Sequence, residues 1–113
     1  RSIAVSFDGL THSFYKLWEH NNDDVASLKS AIYSAINALE IFAEYNDKTQ
    51  CKRMLKSLNK IYEKHKDITA VAKSVNCLIT PTHVSECLGA ESDDFLKFME
   101  IYNHFSNGTI SQL

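Results

Sequence analysis

Turn-forming residues are scarce in this chain, whose 113 residues include three glycines and one proline. A β-sandwich needs many such residues at its turns, and a collagen-like repeat needs glycine at every third position. Apolar residues make up 44% of the chain, which is more than a disordered segment carries. The sequence therefore predicts an all-α fold, and its length predicts one helical domain over residues 1–113.

Apolar residues return every three or four positions in five segments, the spacing that places side chains on one face of an α-helix. Polar breaks separate the segments, and Asp24 and Ser92 are suited to cap the helices that follow them. Thr80-Pro81 suits a helix start and Gly89 a helix end. We therefore expect a compact bundle of four to five helices, at residues 6–20, 24–45, 48–76, 81–88 and 92–106.

Orientation can be predicted for the first three helices. The first helix has four apolar residues on one face, which we expect to point to the core: Phe7, Leu10, Phe14 and Leu17. The second is apolar or alanine at 14 of the 21 positions from Val25 to Tyr45, so we expect it at the centre of the bundle. The third continues its apolar pattern to residue 76, and a bend is expected near residues 66–69, where the β-branched residues Ile68, Thr69 and Val71 cluster.

The three cysteines bear on the cellular compartment. Small secreted domains usually carry an even and denser set, so Cys51, Cys77 and Cys87 favour a reducing, cytoplasmic location. A bridge between Cys77 and Cys87 would still leave Cys51 as a free thiol. The triplet Asn107-Gly108-Thr109 fits the N-glycosylation pattern and keeps a secreted protein as the alternative.

Motifs for enzymatic chemistry are absent. No close cysteine pair, Glu-x-x-His pair, glycine-rich phosphate loop or nucleophile elbow occurs. Cys51 follows Lys48 and precedes Lys52 and Arg53, a setting that favours a thiolate, but its place on the apolar stripe with Leu55 favours a core position. Glu40 and Glu44 share a helix face and are expected to be solvated. The sequence thus predicts no enzyme, no catalytic residue, no metal site and no cofactor.

Positive charge is concentrated on one side of the third helix. We call the following set the basic ridge: Lys52, Arg53, Lys56, Lys60 and Lys64. Its simplest role is a solubilising face, and its functional role would be to attract an acidic segment. Lysine dominates and Tyr62 is the only interleaved aromatic residue, which argues against nucleic acid because base stacking needs aromatic platforms.

Apolar side chains also occur off the main stripes of their helices. The candidate anchors for a partner are Trp18, Ile41, Tyr45, Phe98 and Ile101. If they are exposed together, they form a docking patch for an amphipathic helix or a second copy of the chain. The alternative is that the central helices are surrounded and bury these side chains.

Two resemblances bear on function. From Gln50-Cys51-Lys52 onward, the long helix, proline-containing loop and last helix are similar in layout to the end of the ANTH domains of clathrin adaptors. The lysine-rich phosphoinositide motif of that family has no counterpart here, so its membrane-binding role does not carry over. The size, Lys-rich composition and broad central helix resemble small viral bundles that imitate Bcl-2 proteins, without a shared diagnostic motif. Neither resemblance assigns the chain to a family.

Together these features predict a non-enzymatic interaction module that binds another protein through the candidate anchors and the basic ridge. The expected partner is an acidic or amphipathic segment, with a homodimer as an alternative. An anionic lipid headgroup ranks below both, and nucleic acid is not expected. Two other functions stay open: a secreted, cytokine-like helical ligand or effector, and an adaptor or viral-type regulator with a helix-binding groove.

Overall fold

The computed structural model describes residues 2–77 and 81–108. Over these ranges it contains five α-helices, one short 3-10 helix and no extended strand, which confirms the all-α class. The α-helices are α1 (Ser2–His20), α2 (Val25–Glu44), α3 (Lys48–His65), α4 (His83–Leu88) and α5 (Asp93–Phe105). Three boundaries differ clearly from the sequence prediction, because α1 begins earlier, α3 ends earlier and α4 begins later.

Helix α2 lies at the centre of the bundle, as its broad apolar surface predicts. It packs against α1, α3 and α4. Asp24 caps its start, since the carboxylate accepts a hydrogen bond from the backbone N–H of Ser27 at 3.2 Å and so satisfies one of the unpaired donors of the first turn. Ala31, Ala35 and Ala38 are fully buried. Their small side chains let the neighbouring helices approach closely.

Only part of the predicted face of α1 meets the core, since Phe7 is partly buried against it but the buried positions of the helix are others. Leu10 and Leu17 are exposed, whereas the buried positions recur every seventh residue at Ala4, Thr11 and Trp18. The main packing neighbour of α1 is α2, against which the two small residues allow close approach and Trp18 supplies bulk. The prediction for Leu10 and Leu17 is wrong because the stripe of Ala4, Thr11 and Trp18, two small residues and one large aromatic, is the one that packs into the bundle.

Helix α3 ends at His65, eleven residues before the predicted end at 76. The carbonyl group of Lys66, at the C-terminal end of this helix, contacts a residue of α5, since its oxygen lies 2.8 Å from His104 Nε2. Ile68 is then extended, and Lys73 has a positive φ of 56°. The chain therefore leaves the helix at the start of residues 66–69, where the sequence allowed a bend, and three positions before the first β-branched residue, Ile68.

Residues 73–75 pair with the end of α5 instead of continuing α3. The backbone N–H of Lys73 donates to the carbonyl of His104 at 2.8 Å, and that of Val75 donates to Phe105 at 2.9 Å. Asn107 N–H returns a bond to the carbonyl of Val75 at 3.0 Å. These long-range bonds satisfy backbone groups that a helix would have paired locally, so the apolar periodicity of this segment reflects burial without helix.

Two predicted boundary signals in the second half of the chain are confirmed, one at the end of α4 and one at the start of α5. Gly89 ends α4 with a φ of 96°, a conformation that glycine adopts without strain. Ser92 caps α5 by accepting a bond from the backbone N–H of Phe95 at 3.1 Å. Pro81 is buried but precedes the helix, and Thr80, the expected cap, lies outside the described residues.

The buried side chains form one hydrophobic cluster to which every α-helix contributes. Phe42, Phe98 and Phe105 are among its largest fully buried members. None of the helices in the described ranges combines the length and the apolar character that crossing a bilayer requires.

Candidate functional site

A groove runs between α1 and α3. Polar side-chain contacts join these helices at two points: the guanidinium of Arg53 pairs with the carboxylate of Asp8, and the hydroxyl of Tyr15 lies 2.9 Å from His65 Nε2. Because both pairs advance in the same direction along each helix, α1 and α3 run parallel, with α2 behind them. The groove encloses about 530 Å³, within the range of roughly 300–1,000 Å³ typical of ligand pockets.

The floor of the groove is apolar and contains an open position. Val5, Met54 and Ile61 line it, and Met54 is completely buried. Gly9 also lines it, and a Cβ added there would meet no atom within 4 Å. At Gly9, α1 therefore presents only backbone to the groove and leaves space for a side chain.

Positive side chains form the α3 wall. Arg53, Lys60 and Lys64 line the groove, whereas Lys52 and Lys56 do not. A step of four residues in a helix of 3.6 residues per turn advances about 40° around the axis. The basic ridge therefore curves along α3, so that its last two lysines reach the groove and its first lysine does not.

The members of the basic ridge differ in whether their charge is already paired. Arg53 contacts Asp8, and Lys52 lies 3.9 Å from the carboxylate of Asp94. Among the described residues, Lys56, Lys60 and Lys64 form no ion pair, and all three are exposed. The groove therefore holds two lysine ammonium groups that have no ion-pair partner within the part of the chain that the structure describes.

The contact between Tyr15, which lines the groove, and His65 adds no charge. Burial, together with the neighbouring Lys64, lowers the pKa of His65 below its usual 6.5. A neutral imidazole can accept the hydrogen bond from the Tyr15 hydroxyl. Burial likewise raises the pKa of Tyr15 above its usual 10.0, so both partners stay neutral at physiological pH.

Three of the five candidate anchors belong to the core. Trp18 is 5% exposed, and Phe98 and Ile101 are fully buried. Trp18 stacks edge-on against His65 at 5.5 Å between ring centroids. The expectation that these three form a surface patch is wrong, because α5 is packed on more than one side and α1 points Trp18 inward.

The remaining two anchors lie on the second half of α2, away from the groove. Ile41 is partly buried against the core, and Tyr45 is 57% exposed just after the helix. The apolar side chains that are exposed instead belong mostly to α1. These are Ile3, Val5, Leu10 and Leu17, between 43% and 62% exposed.

A buried carboxylate joins α2 to α4, which the sequence did not reveal. Glu40, expected to be solvated, is 6% exposed and accepts hydrogen bonds from the backbone N–H of His83 at 3.0 Å and from its Nδ1 at 2.7 Å. The bond to Glu40 raises the pKa of His83 above its usual 6.5. Glu44, one turn later, remains exposed.

The cysteines lie in or near the core. Cys51 is fully buried, as the apolar stripe predicts, and burial, reinforced by Cys87, raises the pKa of its thiol. Cys87 lies 3.9 Å away, sulfur to sulfur. The basic residues around Cys51 in the sequence therefore do not make it a thiolate, because their side chains point to solvent while its own points inward.

No group of three or more His, Cys, Asp or Glu side chains in the described ranges is placed to hold a metal ion. Glu100 and His104 lie one turn apart on α5, and each has its own partner. Glu100 accepts a bond from the Tyr62 hydroxyl at 2.8 Å, which lowers the pKa of the carboxyl and helps burial raise that of Tyr62 to about 12. His104 faces the end of α3.

Comparisons with known proteins return no match. No protein-family model, no curated protein and no solved structure is significantly similar to this chain.

Proposed function

We propose that this protein is a non-enzymatic interaction module whose groove between α1 and α3 binds an acidic, amphipathic segment of another protein. The observation that carries the proposal is the groove itself, which combines an apolar floor with the unpaired charges of Lys60 and Lys64. It retains the protein partner and the basic ridge expected from the sequence. In this proposal, the groove takes the place of the docking patch that the sequence predicted from the candidate anchors.

Charge favours an acidic partner. The formal charge of the chain is −2, so the positive wall of the groove is a local feature on a slightly acidic protein. Such a wall attracts carboxylates and speeds their association, and its effect weakens as salt screens it. The lysines stand as separate point charges, which suit the carboxylates of Asp and Glu side chains.

Shape favours an amphipathic partner over a purely acidic one. Val5 lines the groove and is 59% exposed, and Leu10 on the same helix is 43% exposed. A segment with apolar side chains toward α1 and acidic side chains toward α3 would cover both features at once. Helices that bind in grooves present their anchors at intervals of three and four residues.

The test uses a fluorescein-labelled 16-residue helical peptide with Leu at every third or fourth position and Glu elsewhere, measured by fluorescence polarisation. Reversing both groove lysines, in K60E/K64E, should weaken binding at least tenfold. The matched control is K52E/K56E, which makes the same charge change on the same helix outside the groove. It should weaken binding by less than threefold.

A steric block tests the apolar part independently of charge. Gly9→Phe should fill the open position beside the groove and abolish peptide binding, because the added side chain points into space with no neighbour. Gly9→Ala is its control and should bind normally. Equal loss in both charge variants, or normal binding by Gly9→Phe, would show that the peptide does not occupy the groove.

Self-association is a separate outcome of the same experiment. The exposed apolar face of α1 could be covered by a second copy of the chain, which light scattering after size exclusion would detect. A dimer that the peptide dissociates would place the second copy in the groove. A dimer that the peptide leaves intact would leave the proposal unaffected.

A second candidate is a secreted helical ligand or effector, and the surface position of Asn107 favours it. Expression in secretory cells followed by treatment with an N-glycosidase tests it. A mobility shift that Asn107→Gln removes would support secretion. An unmodified chain with three free thiols would support a cytoplasmic location.

A further inference from the structure

Two cysteine thiols meet in the core at the contact between α3 and α4. Cys51, in the first turn of α3, donates to the carbonyl of Leu39 at 3.5 Å. Cys87, near the end of α4, points its thiol at the sulfur of Cys51, 3.9 Å away. The two residues are 36 positions apart in the sequence, so their proximity is a product of the tertiary fold.

The third cysteine occupies a different environment. Cys77 is partly buried, and burial raises the pKa of its thiol. The sequence suggested Cys77 as the partner of Cys87, because both flank the proline-containing segment. The structure instead gives Cys87 the partner that the sequence left unpaired.

From this juxtaposition, we propose that Cys51 and Cys87 are a disulfide site, which links α3 to α4 when the chain folds in the presence of a small-molecule disulfide such as glutathione disulfide. Bond formation requires the two sulfurs to close from 3.9 Å to about 2.05 Å. Cys87 belongs to a helix of six residues, so a shift of this short segment is enough to bring its sulfur to that of Cys51.

The exchange proceeds in two steps. The Cys87 thiolate attacks one sulfur of glutathione disulfide and releases one glutathione, which leaves a mixed disulfide on Cys87. The Cys51 thiolate then attacks the Cys87 sulfur and releases the second glutathione. Two electrons pass from the protein thiols to glutathione disulfide, and the two protons end on the two glutathione thiols.

Burial determines when the bond can form. Cys51 is fully buried and Cys87 is 5% exposed, so the folded chain admits an oxidant poorly and the exchange takes place while the chain folds. Once formed, the bond is protected from reductants by the same burial. It closes a loop of 36 residues, which should raise the melting temperature by on the order of 10 °C.

The test is refolding of the reduced, denatured chain in a buffer of glutathione and glutathione disulfide, followed by alkylation and peptide mapping. We expect one linked peptide pair, Cys51 with Cys87, and an alkylated Cys77. Cys77→Ser should form the same bond, and its melting temperature should be higher after refolding with glutathione disulfide than after refolding in reductant. Cys87→Ser should form no intramolecular bond.

Either of two results would overturn the proposal. One is a refolded chain that keeps three alkylated cysteines under conditions in which glutathione disulfide is in excess. The other is a dominant bond that includes Cys77. Circular dichroism of each refolded sample keeps these results interpretable, since a sample with native helix content but the wrong pairing contradicts the geometry directly.

Discussion

Because α1 buries Trp18 and exposes Leu17, these two neighbouring residues should contribute very differently to the free energy of unfolding. Trp18 is 5% exposed and stacks on His65, whereas Leu17 is 51% exposed. Replacing a buried tryptophan by alanine leaves a large cavity and costs about 3–5 kcal/mol. Replacing a half-exposed leucine leaves a space that water fills, so Leu17→Ala should cost about 1 kcal/mol or less.

The gap of about 3 kcal/mol corresponds to roughly a 100-fold difference in the unfolding equilibrium constant. Urea unfolding followed by circular dichroism measures it, because Trp18 is the only tryptophan and fluorescence would be lost with it. Since Trp18→Ala could unfold the chain entirely, Trp18→Phe provides a milder variant that should cost about 1–2 kcal/mol. Similar costs for Leu17→Ala and Trp18→Ala would mean that α1 presents the apolar face expected from the sequence.

Three further predictions concern turns, caps and pH. Gly9→Ala should stabilise the chain by about 0.5–1 kcal/mol, because Gly9 is inside a helix and has free space around it. Gly89→Ala should destabilise the chain by at least about 1 kcal/mol, because φ is 96° at that position. Thermal unfolding of both variants checks the sign of each change. Asp24→Ala should cost about 1 kcal/mol through loss of the cap of α2, measured by urea unfolding, and no change would show that the cap is dispensable. Glu40 raises the pKa of His83, so the stabilisation from protonated His83 is complete below about pH 6.5 and is lost as pH rises through the raised pKa. The difference in unfolding free energy between the wild type and Glu40→Gln should therefore shrink over that pH interval. A difference that does not depend on pH would contradict this link between protonation and stability.

Local signals in the sequence predicted many of the helix ends correctly. Asp24 and Ser92 cap the helices that follow them, and Gly89 ends α4. These signals succeed because capping depends on residues two or three positions apart. The central place of α2 was predictable for a similar reason, since apolar residues all around a helix require neighbours on several sides.

The candidate site was predictable only in part. All five members of the basic ridge are exposed, as their spacing predicts, but which of them line a groove depends on where α1 lies. Trp18 and Phe98 were misassigned because a side chain outside the main stripe of its helix can still face a second neighbour. Glu40 was missed because its partner, His83, is 43 positions away.

The chain by itself determined that it folds as helices, where most of them begin and end, and that positive charge gathers along α3, because each of these depends on residues within a few turns of one another. Tertiary structure decided which face of α1 is buried, where α3 stops, that Cys51 meets Cys87, and that Lys60 and Lys64 border a groove. Those outcomes depend on contacts between residues more than thirty positions apart or on the fit of one surface to another. The spacing of apolar residues along one helix does not indicate which other element that helix packs against.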